Sequence, residues 1–554
     1  MPTITVNKKE LSKLIGKKLP TDQLKDRISM LGTDLEGIQG DEIKVEIFPN
    51  RPDLLSTQGL ARALASLIGT KPSLKEYSVK KSNYQVIVHK SVTMRPFTAC
   101  AIVKNLSLND QKITDLMQLQ EKLATTHGRN RKKSAYGIYP LNSIQFPINY
   151  IAKDPKKIEF QPLGFDSEIK AHKVTELHPK GRAYVHLTES WNKYPFFIDA
   201  NKNVMCMLPF TNSEDTGKVT ESTTDVFVEC TGIDQINVNI ALNILVTTLA
   251  DMGGSIESVT IKYPKETITT PNLQPKEIIL NKERVNKLLG INLSENDASK
   301  WLERMGFGIK KNKNNLIVQV PAYRNDILHQ VDLAEDIAIA YGYENFEEII
   351  PNVATIAKRN PQEVFAEKIR SLLIGLSLLE VKNFHLIKQT DLTTQMCIKE
   401  EVITLCNSLG DHNTLRNSLI PSLLKTLSIN AHHEYPQNIF EIGRVFHKIS
   451  NENNDTGIYE TQKLAIAVCS ETADFTTIRQ IIDSISLHLN INFSVKETKH
   501  PSYFEGRVAN IKFGKNNIGI LGELHPQVLD NWQIKMPISV IEIDLEKLLE
   551  NSKP

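Results

Sequence analysis

Residues 320–346 read VPAYRNDILHQVDLAEDIAIAYGYENF. Pro321 closes the alternating run LIVQV at 316–320, which reads as a strand, and further on the spacing becomes helical. Leu333, Ile337 and Tyr341 recur at i, i+4 and i+8, so a helix over 332–341 puts them on one face. Asp332, Glu335 and Asp336 recur at i, i+3 and i+4 and share another face. Three carboxylates on one turn repel each other. A hard divalent cation such as magnesium, which takes oxygen ligands, would relieve the repulsion. Asp326, between strand and helix, offers a fourth oxygen donor. The same residues have a purely local reading. Asp332-x-x-Glu335 matches a helix N-terminal box, and acids at that end complement the helix dipole. Spacing alone leaves both readings open.

Working outward, 267–350 reads as one compact unit. Asn281 caps a first helix that stops at Gly290. Ser294 and Asp297 form a capping-box start to a second, which stops at Gly306. Short helices with strands predict a winged-helix-like domain, a shape that does not by itself imply nucleic acid. Upstream, 1–84 is a mixed α/β unit. Ile4 and Val6 alternate, Leu11, Leu14 and Ile15 follow at helical spacing, and 44–47 alternates again. Asp53 is expected to cap a helix striped by Leu60, Leu64, Leu67 and Ile68. Between these lies a β-rich unit, 85–266. Strands are expected at 86–88, 100–103, 183–187 and 226–228, with helices near 113–125 and 235–250. The loop His127-Gly128-Arg129-Asn130-Arg131-Lys132-Lys133 is strongly basic. Arg129, Arg131, Lys132 and Lys133 are candidate phosphate contacts, against the commoner reading of a solvated charge run. Downstream, 351–554 alternates helices with strands near 402–406, 437–447, 463–469, 508–511 and 518–521, predicting a mostly antiparallel sheet flanked by helices. The fold class is α+β, multidomain.

The 554 residues are 40% hydrophobic and 23% charged, with a net charge of +2. No global field advertises an RNA partner, so any such contact must come from local patches or another subunit. Six scattered cysteines without CxxC spacing fit reduced thiols better than a disulfide frame or a zinc site. The N-terminus MPTITVNKKEL carries no apolar signal region, and the uncharged run at 235–250 holds three asparagines and is too short for a bilayer, so no membrane association is expected. GxSxG, HExxH, GxxxxGK[ST] and GxGxxG are all absent from the sequence, and nothing in it reads as an ATP site.

Four separated stretches carry a family resemblance: PNRPDLLSTQGLARALASLIG at 49–69; LPFTNSEDTGKVTESTTDVFVECTGID at 208–234; the opening segment at 320–346; and NSLGDHNTLRNSLIPSLLKTLSINAHHEYPQNIFEIGRVF at 407–446, with YFEGRVANIKFGKNNIGILGELHPQVLDNW at 503–532 behind it. In order and spacing they resemble the phenylalanyl-tRNA synthetase beta subunit of archaeal and eukaryotic type, over essentially the whole chain. The resemblance implies a cytoplasmic alpha2beta2 heterotetramer. In it, alpha binds phenylalanine and ATP and charges tRNA(Phe). It implies that 351–554 is an inactive class II synthetase-like core, with Arg416 and 438–444 standing where a second-motif hairpin would lie. It implies that 85–266 is an editing domain that hydrolyses tyrosyl-tRNA(Phe), because an apolar phenylalanine pocket rejects an added hydroxyl poorly. Asn212 is then the editing-pocket residue, against a local reading as a turn asparagine. It also implies that magnesium is held by Asp326, Asp332, Glu335 and Asp336, in a structural or interface-supporting role. One departure stands out. Where relatives commonly carry a segment like IGVHDLD, this chain has Tyr136-Gly137-Ile138-Tyr139-Pro140-Leu141-Asn142, which puts editing in question. The alternatives are a non-catalytic tRNA-binding or scaffold subunit with a degenerate editing pocket, and a stand-alone editing hydrolase. The second would leave 351–554 without a task.

Overall fold

The computed structural model describes residues 2–312, 315–449 and 455–552, and the chain divides into two compact units, Met1–Ile350 and Pro351–Pro554. It is a mixed α/β, multidomain architecture built on several separate sheets.

The first unit opens with a three-stranded antiparallel sheet in which Glu42–Glu46 lies between Thr3–Asn7 and Asp34–Gln39. Ile4, Val6, Ile43 and Val45 point inward with the two-residue period of strands. The helix Thr57–Leu67 packs against the helix Lys8–Ile15 and joins the same core, with Leu60, Leu64 and Leu67 fully buried. Each such leucine contributes roughly 1.5–3 kcal/mol by leaving water. Its cap is not Asp53. Ser56 accepts the N–H of Gly59, while Asp53 is buried and pairs with Arg51 through two bonds of 2.9 Å. Charge pairing inside the fold has outcompeted capping.

Nine strands follow one another in the large sheet, from Thr211–Asn212 at one end to Ser134–Pro140 at the other. Ser255–Lys262 is sixth in this order, beside the central Gln85–Val88, and Val79–Lys80 and Thr267–Thr270 pair with it off the main path. The two end strands meet: the Tyr139 hydroxyl donates to Asn212 Oδ1 at 3.1 Å. The sheet therefore curls almost closed around an aromatic core that includes Tyr150, Phe197 and Phe227. The helix Gln235–Asp251, capped by Asp234, is buried on most sides between this sheet and the helix Thr57–Leu67. The strand expected at 183–187 does not form. Pro179 starts the helix Pro179–Tyr184, the His178 ring accepts the N–H of Lys180, and Val185–Leu187 continues as a 3-10 turn. Its apolar residues are largely exposed, so no sheet face was available to make alternation pay.

The last part of this unit sets the helices Lys282–Leu289, Glu295–Arg304 and Gln330–Tyr341 with a three-stranded sheet whose central strand is Asn315–Val320. Asn281 and the Ser294–Asp297 capping box start the first two helices as their residue types dictate, and Gly290 ends the first with φ 70°.

The second unit is built on a seven-stranded sheet, antiparallel except at one edge pair, beside a small three-stranded sheet centred on Thr414–Leu415. Its longest pairing joins Gln437–Lys448 to Ile458–Cys469 in register over twelve residues. The helices Pro361–Gly375 and Phe475–Leu489 belong to one core, and Ile420–Ile429 to another. All six cysteines are free; four are buried, Cys397 is half-buried and Cys406 exposed. No helix among the described residues is long and apolar enough to cross a membrane.

Candidate functional sites

At the seam of the curled sheet lies a cavity of about 480 Å³. The helix Asp110–Thr125 supplies one wall through Leu116 and Met117, and Ile138, His178, Phe210 and Asn212 supply others. Asn212 is no turn asparagine. It ends a short strand paired with Cys206, and Gly217 lies so close that an added Cβ would come within 2.5 Å of the Asn212 Cβ. Behind Asn212, away from the cavity, Tyr139 is fully buried, and its hydroxyl is also 3.3 Å from Glu229 Oε1. Burial pushes the Glu229 carboxyl up to about 8, against the pull of Arg95. Its second oxygen has no hydrogen-bond partner. The cavity's histidine is not a free base. Burial lowers the His178 pKa, its Nδ1 accepts from Lys180, and it bonds the backbone at Leu163.

The basic loop divides. Arg131 lines the cavity but is held by it, donating to the carbonyls of Pro209 and Phe210 at 2.9 and 3.0 Å and lying over the Tyr184 ring. Lys133 pairs with Asp234 at 3.0 Å. Arg129 and Lys132 are exposed. The loop is thus not four free cations: two of the four serve the fold, and two remain available to a phosphate.

The acidic segment also divides. Arg324 sits two residues before Asp326 and grips it with two bonds, 2.8 and 2.7 Å, while its Nη2 also reaches Asp336 at 2.7 Å. Asp336 and Asp326 hold the Arg324 guanidinium well above its ordinary value despite burial. Burial raises the Asp336 carboxyl, against the pull of Arg324. Arg51–Asp53 lies close enough to act on the same groups. Asp332 accepts the N–H groups of Leu328 and His329 at 2.8 and 2.7 Å, closing a capping box at the start of Gln330–Tyr341. Glu335 is exposed. Among the described residues no group of three or more His, Cys, Asp or Glu side chains is placed to hold a metal ion. The expected four-carboxylate set does not fit a magnesium ion in this arrangement, because an arginine and two backbone N–H groups already satisfy three of its members.

Three family models match the chain: the Phe-tRNA synthetase beta subunit B1 domain over 1–69, the tRNA synthetase B5 domain over 278–343, and the phenylalanyl tRNA synthetase beta chain CLM domain over 347–545. The phenylalanine–tRNA ligase beta subunit of Pyrococcus furiosus is 38% identical, with 99% of this chain and all of that protein aligned. The Archaeoglobus fulgidus beta subunit is 37% identical over the whole of both chains. The chain belongs to the phenylalanyl-tRNA synthetase beta subunit family. Among solved structures, an N-terminal fragment of the beta subunit from Pyrococcus horikoshii is 37% identical, with a TM-score of 0.60, and covers 62% of this chain and all of that fragment.

In this beta-subunit family member the second unit has its own cavity, of about 490 Å³, lined by Ser418, His447, Lys463, His500 and Glu542 among others. Its charges are spent internally. Glu542 accepts from Ser418, the Leu419 N–H and Lys463, and Lys463 holds it below the usual range despite burial. Arg416 is fully buried, paired with Glu441 at 2.8 Å and bonded to the Arg444 carbonyl, and does not line the cavity. Sequence reasoning missed Glu229 and Gly217. A glutamate inside the run VFVEC was the available signal, since a central strand tolerates a carboxyl only where something uses it.

Proposed function

We propose that the protein is the beta subunit of a phenylalanine–tRNA ligase, paired with an alpha subunit in a cytoplasmic alpha2beta2 assembly. Alpha binds phenylalanine and ATP and charges tRNA(Phe). The cavity beside Asn212 hydrolyses tyrosyl-tRNA(Phe). Family membership supports the first part. For the second, the carrying observation is Asn212, the polar side chain at the seam, on a cavity with the apolar walls an aromatic ring needs. A site built to hydrogen-bond a hydroxyl discriminates for it far better than an apolar pocket discriminates against it. The cavity offers no free general base, so its contribution is to position the ester and a water. Arg129 and Lys132 are the loop cations proposed to meet tRNA phosphate.

The test is deacylation of tyrosyl-tRNA(Phe) by the complex. Asn212→Ala should slow it by about tenfold or more, the worth of one lost hydrogen bond in a buried site. An unchanged rate removes Asn212 from the pocket and favours the scaffold reading. For magnesium the proposal narrows to Asp332 and Glu335, which line one open groove. Atomic absorption on the purified complex should show less bound magnesium in Asp332→Asn/Glu335→Gln than in wild type; equal metal leaves Asp332 as a helix cap only.

A further inference from the structure

The first unit holds a second cavity, of about 330 Å³, which shares no lining residue with the one beside Asn212. It lies where the helix Thr57–Leu67 and the stretch 71–75 meet Asp251, at the end of Gln235–Asp251, and the turn at 321–324. Its lining includes five cations, Arg51, Arg62, Lys71, Lys75 and Arg324, and two carboxylates, Asp53 and Asp251. Two of the five are matched, Arg51 by Asp53, and Arg324 by Asp326 and Asp336, neither of which lines the cavity. The other three have Asp251. Its Oδ2 accepts from Arg62 Nη1 at 2.6 Å, and its Oδ1 from Lys75 at 2.7 Å and the Tyr77 hydroxyl at 2.8 Å. The Lys71 ammonium donates to the Leu14 carbonyl at 3.1 Å. Three cations against one carboxylate bring an excess of positive charge to the cavity.

Two polar groups point to what answers it. Gln58 and Arg62 stand four residues apart, on one face of the helix, and both line the cavity. Gln58 is 2% exposed and the Arg62 side chain 10%. Gln58 Oε1, an acceptor, and Arg62 Nη2, a donor, are buried without a hydrogen-bond partner, and they do not bond each other. Buried polar groups are ordinarily paired, so the two together call for a partner that both accepts and donates. Arg62 is held in place for it. The guanidinium carbon lies 4.0 Å from the centre of the Tyr323 ring, and Nη1 is fixed by Asp251 and Tyr77. The last torsion of a glutamine is soft, so Oε1 can turn toward an ion in the cavity.

Hydrogenphosphate has the matching chemistry. Its two negative charges answer the excess, its bare oxygens accept from Arg62 and Lys71, and its one P–O–H donates to Gln58. Sulfate has the same shape and charge but no proton to give. A phosphodiester of an RNA backbone has one charge and no P–O–H. We propose that this cavity binds free hydrogenphosphate, with Arg62 and Lys71 as donors, and that Gln58 makes it prefer phosphate to sulfate.

The experiment is equilibrium dialysis of labelled phosphate with the alpha-containing complex at about pH 8, with unlabelled phosphate or sulfate as competitor. Phosphate held by alpha is common to the wild type and to beta-chain variants, so their difference reports this cavity. The wild type should bind one phosphate per beta chain that Arg62→Met does not bind. Sulfate should compete about tenfold less well than unlabelled phosphate, the worth of one hydrogen bond to a charged group. Lys71→Ala, which removes an exposed ammonium, should weaken phosphate binding by about tenfold on the same ground. Gln58→Leu should weaken it too and erase the preference over sulfate. Equal competition by sulfate and phosphate in the wild type overturns the proposal. So does phosphate binding that is unchanged in Lys71→Ala or in Gln58→Leu, and these two variants decide the matter if Arg62→Met does not fold. No phosphate bound beyond what Arg62→Met retains also overturns it, and water then serves the two buried groups.

Discussion

Asp326, Asp332, Glu335 and Asp336 show what residue spacing can and cannot reveal. Helical periodicity put the last three on one turn, and they are there. Periodicity says nothing about what folds back onto them. Arg324 lies in the same quoted segment, but that it turns its guanidinium onto Asp326 and Asp336 depends on the turn after Pro321, which has no periodic signature. The buried group is an Arg between two Asp side chains, and removing its centre leaves two carboxylates with only Arg51, itself bonded to Asp53, to compensate them. Arg324→Met should therefore destabilise the first unit by about 3–5 kcal/mol, the usual cost of breaking a buried pair from one side. Denaturant unfolding would measure it. The stranded carboxylates can escape by taking up protons, so the loss should shrink as pH falls and grow as it rises. A loss of under about 1 kcal/mol, typical of a solvent-exposed pair, would mean that the network is not sealed from water.

At the scale of elements, helices with chemical start signals were legible. Asn281 and the Ser294–Asp297 box both cap where their types predict. The failures share a cause, a tertiary demand stronger than the local signal. Asp53 had cap chemistry, but Arg51 took it into the core and left the cap to Ser56. The run at 183–187 had strand alternation, but a proline and a histidine cap made a helix that no sheet contested. Asn212 was found only through family resemblance, because the contact that gives it meaning joins strands 73 residues apart. The turn at 51–56 allows a graded test. Ser56→Ala removes one cap bond and should cost about 1 kcal/mol. Gly59→Ala should cost more, about 1–3 kcal/mol, because its Cβ would fall 1.9 Å from the Asp53 backbone oxygen, and backbone cannot move aside cheaply. Equal Tm shifts for the two variants would show that the helix does not press on the turn.

At the scale of the whole molecule, charge is the informative quantity. A net +2 predicted no broad field for RNA, and the structure accounts for many of its cations individually. Arg51, Arg62, Arg324 and Arg416 are all paired with carboxylates inside the fold. A site that activates an amino acid with ATP must meet a triphosphate with unpaired positive groups. Both lysines on the second unit's cavity are paired, Lys463 with Glu542 and Lys448 with Glu401, and Arg416, outside its lining, is sealed against Glu441. The isolated chain should therefore form no phenylalanyl-tRNA, and charging should appear when the chain is co-expressed with its alpha partner, as measured by incorporation of labelled phenylalanine into tRNA(Phe). Releasing one buried cation should not change this. Glu441→Gln frees Arg416 electrostatically, yet Arg416 stays fully enclosed and bonded to the Arg444 carbonyl, so the variant chain alone should remain inactive. Charging by the isolated wild-type chain would sink the division of labour between the subunits, and charging gained by Glu441→Gln alone would mean that only one ion pair separates this cavity from a working synthetase site.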